Sequence, residues 1–298
     1  MPGLSGSGKS TTLNKLRLSE NMTFSEDELD MYTLAIKKVL IRSARALTVV
    51  MQKHGLGCSY PSNEESANRI GTCAADCIYE SSIPQVTMDD IRHFLADPVI
   101  PSIRDLAGDD YSDNADFFLD KAQRICEPDY RPSEEDILRA RKPMSNDIQS
   151  LNIAIGSLSV RLLDISHLTL DYKQWVRHLE GARSVVFCSA LSDYDDTRLV
   201  ASLELFDMVI NSPLLYRSSV VLMLTKADIL KKKLPQVPLE RFFPEYTGAS
   251  DVLKAAKYLL WRHMQCNRQP RICYPHLTEL SDRSFRRVVA WATEDTFL

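Results

Sequence analysis

Apolar residues at Leu29, Tyr32, Ile36, Val39, Leu40, Ala44 and Leu47 follow the three-and-four spacing of one helical stripe. No strand-like alternation of comparable length interrupts the stretch from Phe24 to about Glu135, so this region is expected to be all-helical. Beyond Arg141 the period changes. Leu151, Ile153 and Ile155 alternate with polar residues, Gly156 permits a turn, and Leu158, Val160 and Leu162 alternate up to Asp164, which predicts a two-stranded hairpin. Val185-Val186-Phe187-Cys188 and Val220-Val221-Leu222-Met223-Leu224 are unbroken apolar runs separated by a helical stretch from Leu199 to Ile210. Such runs predict parallel strands buried on both faces of an α/β fold. No window approaches the roughly 18 consecutive apolar residues of a bilayer crossing, and no internal repeat or low-complexity segment is found.

The length of 298 residues allows two domains with cores of their own, or one large one. With 44% hydrophobic and 26% charged residues, the composition excludes collagen-like and wholly disordered chains. The 36 basic and 40 acidic residues leave a net charge of −4, which gives no electrostatic drive toward nucleic acid. There is no signal-peptide pattern, and Pro2 after Met1 excludes the Met-Gly start that myristoylation requires. The seven cysteines are odd in number and irregularly spaced, which argues for reduced thiols in the cytoplasm that mostly pack. Cys73-x-x-x-Cys77 reads as one helix face in a core.

Chemistry enters abruptly at the start. Gly3-Leu4-Ser5-Gly6-Ser7-Gly8-Lys9-Ser10 fits Gly-x-x-x-x-Gly-Lys-Ser/Thr, a loop whose backbone N–H groups cradle nucleotide phosphates. Thr11 to Leu18 suits the helix whose N-terminal dipole adds to anion binding. Four further strings follow: Tyr130 through Arg141, Trp175 through Asp195 with its Ala190-Leu191-Ser192-Asp193-Tyr194-Asp195, Thr225-Lys226-Ala227-Asp228, and Phe243-Pro244-Glu245-Tyr246-Thr247-Gly248. In order and spacing, across almost the whole chain, these strings resemble the α subunits of heterotrimeric G proteins. The resemblance implies an α/β fold, a P-loop GTPase (Ras-like) sheet domain at residues 1–21 and 137–298 interrupted by an all-helical insert domain at 22–136. The insert would lie over the nucleotide on two linkers able to hinge.

The resemblance also implies roles. Ser5, Gly6, Ser7, Gly8, Lys9, Ser10 and Thr11 would surround the phosphates of GTP or GDP, with Lys9 reaching the β- and γ-oxygens. Ser10 and Asp164 would serve Mg²⁺, Leu138 and Arg139 would lie near ribose and base, and Arg141 would be the catalytic arginine finger. Thr225, Lys226 and Asp228, with the Ala292 backbone, would face the base. A carboxylate at Asp228 favours guanine, because adenine would leave its charge unpaired.

Several positions depart from the family. Met144 stands in place of the switch Thr that binds Mg²⁺, with Ser145 one position on, and a thioether is a poor ligand for a hard cation. His167 replaces a Gly that meets the γ-phosphate, and Leu168 replaces the Gln that orients water. Gly6 replaces the loop Glu that pairs with the finger, Ser5 occupies a Gly position, and Thr225 replaces Asn. Hydrolysis is therefore expected to be impaired; His167 as a substitute base is the weaker reading.

The family has a buried strand and a helix ahead of the loop, where this sequence has Met1 and Pro2. It also has a long C-terminal receptor helix, where this sequence ends at Leu298. The sequence is then either truncated or without those contacts. Partners implied are a βγ dimer and a membrane receptor, the latter in doubt without that helix, and no nucleic acid. The implied location is cytoplasmic or peripheral at the inner plasma membrane. The main expectation is a signalling switch. Its rival is a non-enzymatic interaction protein of the same fold that has lost nucleotide binding because the strand anchoring its loop is absent, and a P-loop kinase is weaker still. His263-x-x-Cys266 and Cys273-x-x-His276 carry ligand types that suit zinc, but the short gap containing Pro270 favours packing or surface roles. Lys231-Lys232-Lys233 reads as a solvated loop.

Overall fold

The computed structural model describes residues 1–4, 6–19, 22–72, 85–107, 114–140, 149–155, 158–164, 181–269 and 271–278. The chain divides into two compact units, Met1–Thr23 with Met144–Leu298, and Phe24–Pro143.

After α1 (Lys9–Ser19) the chain enters the second unit, where every described element is a helix: α2 (Glu26–Lys53), α3 (Pro61–Thr72), α4 (Gln85–Leu95), α5 (Ile100–Ala107), α6 (Ala115–Asp120), α7 (Ala122–Ile125) and α8 (Glu134–Arg139). The stripe seen in the sequence explains why. Tyr32, Ile36, Leu40, Ala44 and Leu47 of α2 are buried against Ile70, Met88, Ile91, Phe94, Ile103 and Phe118 of the helices around it. Ser25 starts α2 with a capping box, accepting from the Glu28 amide while Glu28 accepts from the Ser25 amide. Ser133 and Asp136 repeat the device at α8. Burial pushes the Asp136 carboxyl up, but bonds from the Ser133 amide, Arg124 and Tyr130 outweigh burial and hold it below its ordinary value.

The first unit mixes sheet and helix. β1 (Gln149–Ile155) and β2 (Leu158–Asp164) form the expected hairpin, with Ile155 opposite Leu158 and Gln149 opposite Asp164. β3 (Ser184–Ala190), β4 (Ser219–Thr225) and β5 (Cys273–Leu277) form a parallel sheet in that order. Side chains of its strands alternate between two cores. Val185, Phe187, Val220, Leu222 and Leu224 pack with α9 (Thr197–Ile210), α10 (Ala227–Lys233) and α11 (Val252–Gln265). Val186, Cys188, Val221 and Met223 pack on the opposite face with Met1, Leu13, Leu16 and Leu162. Burial on both faces is what an unbroken apolar run encodes.

Met1 and Pro2 lie between β2 and β3. The Met1 amino group donates to Leu163 O at 2.5 Å, and the Cys188 amide donates to Pro2 O at 3.1 Å. Both residues are thus tied to neighbouring strands and lead directly into the glycine loop.

One local expectation is corrected. Lys231-Lys232-Lys233 is the last turn of α10, where cations suit the helix C-terminus. Lys233 Nζ donates to Asp195 Oδ1 at 2.7 Å and to Ser192 O at 3.2 Å. Cys273–Leu277 is a strand, though Pro275 and His276 disguise it: its pairing with β4 comes from tertiary context. Among the described residues no helix is long and apolar enough to cross a membrane.

Candidate functional site

The glycine loop folds back on itself before α1. The Ser7 amide donates to Leu4 O at 3.1 Å, and Thr12 donates to Gly8 O through both its amide and its hydroxyl at 2.9 Å. Gly3 and Gly8 adopt φ of 141° and 88°, in the left-handed half of the map that glycine enters without strain. A Cβ on Gly3 would stand 2.5 Å from Cys188 O, so the loop approaches β3 closer than any side chain allows.

Lys9 is buried, and its ammonium donates to the carbonyls of Gly3 and Leu4 at 2.5 Å each, with Ser7 Oγ at 3.4 Å. The charge therefore sits over the loop, compensated by carbonyl dipoles. The first turn of α1 carries Lys9 and Ser10 and contains no acidic residue. Its amides, which helix geometry aims toward the loop, present a positive end to an anion.

The far end of β4 reaches the same loop. Thr225 is buried, and its hydroxyl donates to Ser7 O at 2.8 Å, with Ser189 O at 3.4 Å. Its side-chain atoms lie 3.1 Å from where a Cβ on Gly8 would be. Lys226 follows in the left-handed conformation, φ 59° and ψ 39°, and starts α10 with Asp228 in its first turn. A non-glycine residue held there is a local cost that the surrounding structure must enforce. The Thr278 amide fixes this corner by donating to Leu224 O at 2.9 Å.

Arg198 is a neighbour that sequence reasoning missed. Its Nη2 lies 2.9 Å from the position a Cβ on Gly6 would take, while its Nε pairs with Asp193 Oδ2 at 3.3 Å. No local signal marks it, because only the packing of α9 beside the loop brings it there. The string Ala190 through Asp195 is thereby explained: Asp193 holds Arg198, Asp195 holds Lys233, and the buried Tyr194 hydroxyl donates to Val237 O.

The structure thus brings Gly6, Ser7, Gly8, Lys9 and Thr225 together, with Ser10 and Thr11 on the first turns of α1 and Lys226 and Asp228 directly after Thr225. Leu138 and Arg139 lie on α8 of the helical unit, where Arg139 stacks over Phe117 at 4.2 Å and pairs with Glu135 at 3.4 Å. Asp164 ends β2. Ser5, Arg141, Met144, Ser145, His167, Leu168 and Ala292, along with Cys73 and Cys77, lie outside the described residues.

The zinc spacing does not form a ligand set. His263 is fully buried with both ring nitrogens engaged, by Leu259 O at 2.7 Å and Ser189 Oγ at 3.0 Å. Burial pushes the Cys273 thiol up to about 12. Among the described residues no group of three or more His, Cys, Asp or Glu could hold a metal ion.

A glycine loop closed by a buried lysine, running into a helix beside a parallel sheet, defines the P-loop class of nucleotide-binding folds. The family model for G-protein alpha subunits matches residues 1–297, and the chain belongs to that family. It is 39% identical to a guanine nucleotide-binding protein subunit alpha of Cryptococcus neoformans var. neoformans serotype D, over 99% of this chain and 70% of that protein. It is 36% identical to a guanine nucleotide-binding protein alpha-3 subunit of Mycosarcoma maydis, over 99% of this chain and 86% of that protein. With a guanine nucleotide-binding protein alpha-2 subunit of Saccharomyces cerevisiae it shares 34% identity, over 99% and 69%.

Proposed function

We propose that this chain binds GDP and GTP and acts as the nucleotide-dependent switch of a heterotrimeric G protein, downstream of a receptor and in partnership with a βγ dimer. The observation that carries this reading is the Thr225–Ser7 hydrogen bond, which joins the phosphate motif to the base motif in one folded unit. The backbone bonds of Met1 and Pro2 to both neighbouring strands give the loop an anchor, which favours nucleotide binding over the rival reading of a fold without it.

In this reading the amides of Gly6 through Thr11, with Ser5, receive the phosphates, and the Lys9 ammonium moves its bonds from the loop carbonyls to phosphate oxygens. Asp228 accepts two guanine N–H groups, Lys226 packs over the base, and the Ala292 amide meets its carbonyl. Leu138 and Arg139 serve the ribose and base. Ser10 and Asp164 are hard oxygen donors of the kind Mg²⁺ takes. The ion, when bound, neutralises phosphate charge.

Hydrolysis is slow in this reading. Arg141 is retained, but Leu168 cannot orient water, Met144 is a poor metal ligand, and position 6 carries no carboxylate. These groups act as a unit, so the loss of several is not made good by the one that remains.

Asp228→Asn tests the base contact. Exchanging an acceptor for a donor is expected to move preference from guanine to xanthine nucleotides by at least about tenfold. An unchanged preference in a folded variant would remove Asp228 from the base site.

A further inference from the structure

A buried chain of polar groups between β3, α9 and α11 has no phosphate, base or metal role in the reading above. His263 Nδ1 lies 2.7 Å from Leu259 O, which can only accept, so Nδ1 carries the proton. In the neutral ring Nε2 is then an acceptor, and the Ser189 hydroxyl at 3.0 Å must donate to it. That leaves Ser189 Oγ to accept from the Ser202 hydroxyl, also at 3.0 Å. Every bond in the chain Ser202 to Ser189 to His263 to Leu259 has one direction. His263 and Ser189 are fully buried and Ser202 is nearly so. The neutral ring agrees with burial, which lowers the imidazole pKa to about 4.

The hydrogen-bond chain ends at the Ser189 side chain, and the backbone of that residue continues to the glycine loop. The backbone carbonyl of the same residue faces the Thr225 hydroxyl at 3.4 Å, and that hydroxyl makes its shorter bond to Ser7 O in the glycine loop. His263 thus holds, from the α11 side, the side chain of the strand residue whose carbonyl lies beside Thr225. Apolar residues would fill this space at no desolvation cost, but they would not fix an orientation.

We propose that His263 is a positioning residue for nucleotide retention, acting through Ser189 and Thr225 on the Ser7 carbonyl of the phosphate loop. This rests on the nucleotide-binding reading above. His263→Phe keeps bulk and loses the acceptor, whereas His263→Gln places Oε1 near the position of Nε2 and keeps it.

The test is the release rate of mant-GDP, chased with excess GDP, from the full chain. His263→Phe is expected to release it about 3- to 10-fold faster, the equivalent of one hydrogen bond. His263→Gln should stay within about twofold of the unmodified chain. In a Thr225→Val background, His263→Phe should add less than about twofold, because the path to the loop is already cut. A merely structural histidine would give additive effects and no rescue by Gln. If His263→Phe does not fold, Ser189→Ala removes the hydroxyl with little loss of volume and carries the same expectation. Saturable binding by the unmodified chain with unchanged release in the folded variants overturns the relay alone. Absence of mant-GDP binding by the unmodified chain overturns the nucleotide reading and the relay with it.

Discussion

The Thr225 hydroxyl donates to the Ser7 carbonyl at 2.8 Å, joining two residues 218 positions apart in the chain. Both are buried, so water cannot replace the donor if it is removed. Thr225→Val keeps the shape and leaves the Ser7 carbonyl without this bond, at a cost of about 1 to 3 kcal/mol. The expected result is a mant-GDP Kd raised about tenfold or more, with Thr225→Ser close to the unmodified chain. Equal affinities for all three would mean that the loop holds its shape without β4.

Glycines of the loop should differ in what they tolerate. At Gly3 an added Cβ meets the backbone oxygen of Cys188 at 2.5 Å, and a strand carbonyl cannot retreat. At Gly8 it meets the Thr225 side chain at 3.1 Å, which can give by a few tenths of an ångström. Both positions have positive φ, so both alanine variants carry backbone strain of about 1 to 2 kcal/mol. Gly3→Ala is therefore expected to lower the melting temperature by more than Gly8→Ala does. The reverse order in thermal unfolding would show that the loop does not press on β3.

His263 gives the sheet unit an acid sensitivity whose sign is fixed. Its folded pKa is lowered to about 4 by burial, against about 6.5 in an unfolded chain. Its contribution is complete above the unfolded value and is lost as pH falls from about 6.5 toward 4, where the unfolded state binds the proton first. Between pH 7.5 and 5 the unmodified chain should lose about 2 kcal/mol more stability than His263→Phe, read by urea unfolding at each pH. Parallel losses would place the ring in contact with water.

Much of this architecture was legible in the sequence because its signals are local. The stripe on α2, the pairing of β1 with β2 and the two buried strands each follow from side-chain period alone. The loop from Gly3 to Ser10 was legible because glycine and lysine at fixed spacing have few other uses. What escaped depends on long-range placement. β5 contains Pro275 and a half-polar pattern, and only its pairing with β4 makes it a strand. Arg198 looks like any helical surface arginine until α9 sets it beside Gly6. His263 and Cys266 share a ligand-like spacing, yet the ring turns inward to Ser189 and Leu259, which no spacing could reveal.

Nucleotide occupancy of the glycine loop is what the other expectations depend on, and direct titration measures it. The chain titrated with mant-GDP should show saturable binding that is competed by GDP and GTP, not by ATP, and that is lost on Lys9→Ala with the fold intact by circular dichroism. A folded, unmodified chain with no saturable signal up to millimolar protein, or binding competed equally by ATP, would contradict a guanine-nucleotide switch.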